Sequence, residues 1–282
     1  MMKTILLPFR SAEPPRTAME SAYSVAVRFG SYIEGLFVRQ PPPIVSGEGI
    51  TIPGEYLADL AEETRRLSER AREHFTRFMA DKNVPLSDVR LSSDKPSAGW
   101  SDVEGPGHQV VGEYGRLFDL IVVGCAPSEA TVDRDVLCEA ALFDSGRPVL
   151  VAAAEPPATL GETVVVAWNG STETARTIGL GMPFLLGAKK VVVLTVEGAT
   201  VPGPSAGQVA DHLVRNDVKA EPRTVQADSR AAGEAILAEC REAGADLLLK
   251  GAFTHSRLRQ LIFGGATSHI LAHADLPVFM AH

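Results

Sequence analysis

Cysteine is scarce: three in 282 residues, Cys125, Cys138 and Cys240. They are too few and too scattered for a disulfide framework or a structural zinc site. Cys125 follows an apolar, strand-like run and reads as a buried structural thiol rather than a reactive one. Long apolar runs are also missing. None approaches the roughly 20 residues that cross a bilayer, and Met1 to Arg10 holds too few apolar residues before Pro8 and Arg10 for a signal peptide. The expectation is a cytoplasmic protein with no membrane partner. Basic charge is in deficit as well, with 27 Lys+Arg against 35 Asp+Glu and a net charge of −8. That excludes a general nucleic-acid binder, which needs a basic face to neutralise phosphates. The deficit is uneven: residues 162–282 carry about −1 and residues 1–161 about −7, so an anionic ligand fits the second half better.

Several chemical signatures are lacking too. There is no Gly-Lys-Ser/Thr of a Walker loop and no G-x-G-x-x-G turn. No nucleophile–base–orienter set stands out, and no carboxylate pair suggests metal-assisted hydrolysis. His269 and His273 have the i,i+4 spacing of metal ligands but no evident third ligand, so they read as helix-surface residues.

What is present is a 45% hydrophobic, 22% charged chain of ordinary globular composition, and it repeats itself. Lys3 to Ser11 echoes Glu162 to Gly170, Asp119-Leu-Ile-Val-Val-Gly124 echoes Asp246-Leu-Leu-Leu-Lys-Gly251, and Arg147-Pro-Val-Leu-Val echoes Leu276-Pro-Val-Phe-Met. The order is kept, but the first copy carries about thirty extra residues, many of them in the Pro/Gly-rich stretch around 40–55, which reads as a long loop or lid. Residues 155–161 read as a linker between domains 1–155 and 162–282.

Within each copy β-branched runs alternate with helical patterns, which predicts two tandem doubly wound α/β domains, each a five-stranded, Rossmann-like parallel sheet. Strands are expected at about 3–9, 32–38, 86–91, 119–124 and 148–153, then 163–168, 190–196, 220–226, 246–250 and 277–280. Helices are expected at about 13–29, 55–81, 107–116 and 130–145, then 172–186, 205–216, 229–243 and 265–273. Ligands of such folds sit beyond the carboxyl ends of the strands, where strand order reverses. Trp100 falls in a loop on this reading and has no assigned role.

Residues 246–268 carry most of the functional signal. An apolar run ends in Gly251, a basic segment with His255, Arg257 and Arg259 follows, and Gly264-Gly265 opens an apolar helical pattern. Glycines let backbone N–H groups approach an anion, and a helix start adds unpaired donors. The same glycines could simply end a strand and start a helix. His255 and the arginines could close over phosphates or form a solvated basic loop. Asn169 is either a ligand contact or a turn and cap residue, since Asn-Gly-Ser before a helix suits a cap. Trp168 reads as a packed strand-end aromatic more readily than as a base stacker.

Val166 to Ser171, together with Gly251 to Thr267, resembles the universal stress protein family in its tandem, two-domain form. The resemblance is strong over 162–282 and rests on element order over 1–155. It implies a stress-response or regulatory protein that binds an adenine nucleotide, ATP alone or with Mg2+, with at most slow hydrolysis. It also implies a homodimer of such chains. The family's acidic residue after strand one and its Gly-x2-Gly-x9-Gly-Ser/Thr segment would fall on Asn169, Gly251, Thr254, Gly264 and Gly265. Ala167, Val196 and Lys250 match positions lining the adenosine pocket, and Ala266 and Thr267 match the phosphate end. Asn169 stands for the usual Asp, Thr254 for the second glycine and Gly265 for the Ser/Thr. The first copy lacks the glycine pair and adds Glu129, Asp133, Asp135 and Glu139, so ATP is expected in the second copy only. The final strands of the copies are expected to meet across a pseudo-twofold axis, and Gly264 and Gly265 to need positive φ. A nucleotide-free module acting through protein–protein contacts is the alternative.

Overall fold

The computed structural model describes residues 2–9, 11–12, 16–41, 53–87, 94–124, 131–156, 158–227, 230–252 and 265–282. In the first half β1 (Thr4–Phe9), α1 (Arg16–Phe29), β2 (Tyr32–Arg39), α2 (Gly54–Asp81), β3 (Ser97–Glu104), α3 (Gly107–Tyr114), β4 (Leu120–Val123), α4 (Thr131–Asp144) and β5 (Val149–Val151) follow one another. The second half runs β6 (Thr163–Ala167), α5 (Thr172–Leu186), β7 (Lys190–Glu197), α6 (Ala206–Val214), β8 (Ala220–Gln226), α7 (Ala232–Ala243), β9 (Leu247–Gly251), α8 (Ala266–His273) and β10 (Val278–Ala281).

The strands form one ten-stranded sheet in the order β3-β2-β1-β4-β5-β10-β9-β6-β7-β8. Every pairing within a half is parallel. The halves join where Val278, Phe279 and Met280 pair antiparallel with Val151, Leu150 and Val149. The expected meeting of the final strands is therefore present, and it covers two edges that would otherwise be open. Strand order reverses between β1 and β4 and again between β6 and β9. Leu6, Val122, Val165 and Leu248 are fully or almost fully buried, as sheets covered by helices on both faces require. One apolar layer, including Ile5, Leu150, Val164 and Phe279, runs beneath both halves.

The repeated aspartates share one structural task. Asp119 Oδ2 accepts from the backbone N–H groups of Lys3 (2.7 Å) and Thr4 (3.1 Å). Asp246 accepts from the N–H groups of Gly161, Glu162 and Thr163, each at 3.0 Å. Each carboxylate thus anchors the start of a first strand to the start of a fourth.

The third strand of the first half departs from expectation. It spans Ser97–Glu104, not 86–91, and of the expected segment Leu86 makes an isolated bridge to Ala98. Ser, Gly and Asp give this strand weak β-propensity. Eight paired residues against β2 hold it all the same, from Tyr32↔Ser97 to Arg39↔Glu104. Trp100 therefore lies in a strand, its ring 5.1 Å from Phe9 and 5.6 Å from Phe75. Cys138 and Cys240 are buried, and burial pushes the Cys240 thiol up to about 12; Cys125 lies outside the described residues.

Candidate functional site

The carboxyl edge of the second half, where strand order reverses, holds a small cavity of about 50 Å³. Ala167 and Trp168 at the end of β6, Leu194 and Val196 on β7, Ile236 on α7 and Lys250 on β9 form its walls, with Asn169, Thr174, Ala199, Ala232 and Ala266 around them. Of the residues expected to contact a ligand, Ala167, Asn169, Val196, Lys250 and Ala266 therefore line one space. Gly251 and Thr267 are the immediate neighbours of two of them. Thr254, His255, Arg257 and Gly264 lie outside the described residues. The volume is small beside the roughly 300–1,000 Å³ of ordinary ligand pockets.

The turn after β6 is held from within. Asn169 Oδ1 accepts from Thr174 Oγ1 at 2.7 Å and from the Ser171 N–H at 3.2 Å. The cap of α5 is Ser171, whose Oγ accepts from the Thr174 N–H at 3.3 Å. Asn169 is therefore a turn-stabilising residue that also faces the cavity. Gly170 has φ +85°, and a Cβ there would meet the Val201 carbonyl oxygen at 2.5 Å, so no other residue fits the turn without a shift. Trp168 is 6% exposed and donates from Nε1 to the Pro204 carbonyl at 2.7 Å, which fixes it as a packed wall.

Gly251 and Gly265 prove unlike. A Cβ on Gly251 would lie 2.5 Å from the Thr174 nitrogen and 2.8 Å from the Glu173 carbonyl carbon. This glycine lets the end of β9 press against the first turn of α5. Gly265 precedes α8 at φ −84° and ψ 172°, and an added Cβ would meet no described residue within 4 Å. The positive φ expected of Gly265 is absent, because an N-cap residue takes extended backbone.

Lys250 is the site's strongest electrostatic feature. Its side chain is buried, and Nζ donates to the Gly251 carbonyl at 2.8 Å and to Thr267 Oγ1 at 2.7 Å. Burial alone lowers its pKa to about 8. The sequence offered Lys250 only as a pocket-lining position; the signal that could have shown more is a lone Lys ending an apolar strand. His269 and His273 stack with ring centroids 4.3 Å apart on α8. Among the described residues no three His, Cys, Asp or Glu side chains are placed to hold a metal ion, and no helix is long and apolar enough to cross a membrane.

Residues 162–282 match the model of the universal stress protein family. Over 99% of its length the chain is similar in structure to a universal stress protein from Archaeoglobus fulgidus DSM 4304, with a TM-score of 0.71, 16% identity and 95% of that chain covered. It is also similar to a functionally unknown protein from Pseudomonas aeruginosa PAO1, with a TM-score of 0.54, 15% identity, and 99% and 92% of the two chains covered. At these identities the structural likeness concerns the fold. No curated protein matches the chain.

Proposed function

With residues 162–282 belonging to the universal stress protein family, we propose that the chain is a cytoplasmic stress-response or regulatory protein that binds an adenine nucleotide in its second half. The observation that carries this reading is the convergence of Ala167, Asn169, Val196, Lys250 and Ala266 on one cavity at the reversal of strand order. The apolar walls suit a base and ribose, and the buried ammonium beside the start of α8 suits a phosphate. ATP is the ligand proposed, and Mg2+ would enter on its phosphates. The halves act as domains 1–155 and 162–282, and chains pair as homodimers.

The first half does not repeat the site. Val123 stands where Lys250 does, and Phe9 and Pro8 replace Trp168 and Ala167. Binding should therefore be one nucleotide per chain. Mass spectrometry of nucleotide released from the purified protein, followed by calorimetry with ATP, tests the proposal. Copurified ATP, ADP or AMP with one site per chain supports it. A clean protein that ignores added ATP favours a nucleotide-free interaction module, and two equivalent sites would contradict the assignment to the second half.

A further inference from the structure

Lys250 ends an otherwise apolar strand, Leu247-Leu248-Leu249, and its side chain is 8% exposed. An ammonium has three donors. Two of them reach neutral acceptors, the Gly251 carbonyl and Thr267 Oγ1. No carboxylate contributes to its electrostatics among the described residues. The connecting segment 253–264 cannot supply one either, since it contains no Asp or Glu and adds His255, Arg257 and Arg259. A buried charge without a counter-ion is strongly unfavourable to folding. Nothing in the packing calls for it, because the first copy places Val123 at the same position.

Two more observations locate the missing anion. Lys250 lines the cavity with Ala167, Val196 and Leu194, so its charge lies among the apolar walls of the site. Thr267, its partner, sits in the first turn of α8, and no described residue comes within 4 Å of a Cβ placed on the Gly265 cap of that helix. An anion reaching Nζ would therefore meet the positive end of a helix as well.

We propose that Lys250 is the anion-recognising residue of this site, and that it selects a nucleoside carrying a phosphate directly on the ribose over the unphosphorylated nucleoside. The proposal rests on the adenine-nucleotide reading and assigns the selection to one side chain. The first phosphate, not the terminal one, carries the selectivity. AMP already satisfies the site.

Calorimetry and thermal melts of the full chain with adenosine, AMP and inorganic pyrophosphate test this in wild type and Lys250→Met. Wild type should bind AMP at least tenfold more tightly than adenosine. The variant should lose that preference, its affinities for AMP and adenosine falling within about twofold of each other. Equal wild-type affinity for AMP and adenosine overturns the proposal without any variant. AMP binding that is unchanged in Lys250→Met also overturns it, while leaving the nucleotide reading intact. If pyrophosphate stabilises only the wild type and AMP adds nothing to it, Lys250 stands as an anion site and the nucleotide reading fails. If no anion distinguishes the two proteins, Lys250 recognises none.

Discussion

Lys250 Nζ donates to Thr267 Oγ1 at 2.7 Å, tying the end of β9 to the first turn of α8 through a buried ammonium. The tie is a poor bargain for folding. Burial lowers the Lys250 pKa from 10.5 to about 8, so between those values the unfolded chain binds more protons than the folded one. Stability must then rise with pH across that window. Below about pH 8 both states are charged and the folded state bears the full cost of burial, about 3 kcal/mol for a shift of this size.

Lys250→Met should therefore be more stable than wild type at pH 7, by about 2–3 kcal/mol. The gap should close as pH climbs from about 8 towards 10.5. Urea melts of both proteins at pH 7 and pH 10 check this. A difference independent of pH would mean that the ammonium is not buried as described.

Asp246→Ala removes the acceptor for three backbone N–H groups at the start of β6. Asp119→Ala removes it for two at the start of β1, in a less buried setting. Hydrogen bonds to a charged group contribute about 1.5–3 kcal/mol each net of exchange with water, and less where the group is partly exposed. Asp246→Ala should cost about 3 kcal/mol or more, and Asp119→Ala about 1–2. Equal losses in chemical denaturation would show that burial does not set the difference.

The second half was legible in the sequence almost residue for residue. Its strands, such as Lys190–Glu197 and Leu247–Gly251, are apolar runs closed by Gly and cap residues. Ser97–Glu104 was not legible, because Ser, Gly and Asp hide a strand that only its neighbour β2 specifies. At the site, type and position could be read for Ala167, Val196 and Lys250. That Asn169 Oδ1 is held by its own turn, and that no described carboxylate faces Lys250, depend on side-chain placement, and periodicity carries no such information.

The two glycines of the site should separate in mutagenesis. Gly251→Ala drives a Cβ into backbone atoms of α5 at 2.5–2.8 Å and should lower stability by about 1–3 kcal/mol. Gly265→Ala meets no described residue and keeps its φ, so it should stay within about 0.5 kcal/mol of wild type. Thermal melts without ligand decide; similar losses in both would place Gly265 in a tighter setting than the geometry shows.

Arg28 joins what the strand ladder joins only briefly. From α1 it donates to the Leu160 carbonyl in the linker at 2.5 Å and to the Phe184 carbonyl on α5 at 3.3 Å. Its guanidinium also lies 5.6 Å over the rings of both Phe29 and Phe184. Burial lowers its pKa against the opposing fields of Asp246 and Glu162, so the charge is held by packing and carbonyls more than by ion pairing. The antiparallel ladder between β5 and β10 has three residue pairs, and Arg28 adds two hydrogen bonds to it from a single forked side chain. Arg28→Ala should cost about 1–3 kcal/mol and expose residues 155–161 to limited proteolysis before either half is cut. Arg28→Lys should not restore protection, since a single ammonium lacks the planar fork that reaches two carbonyls while stacking on two rings. Resistance of the linker in Arg28→Ala would show that the sheet alone holds the halves together.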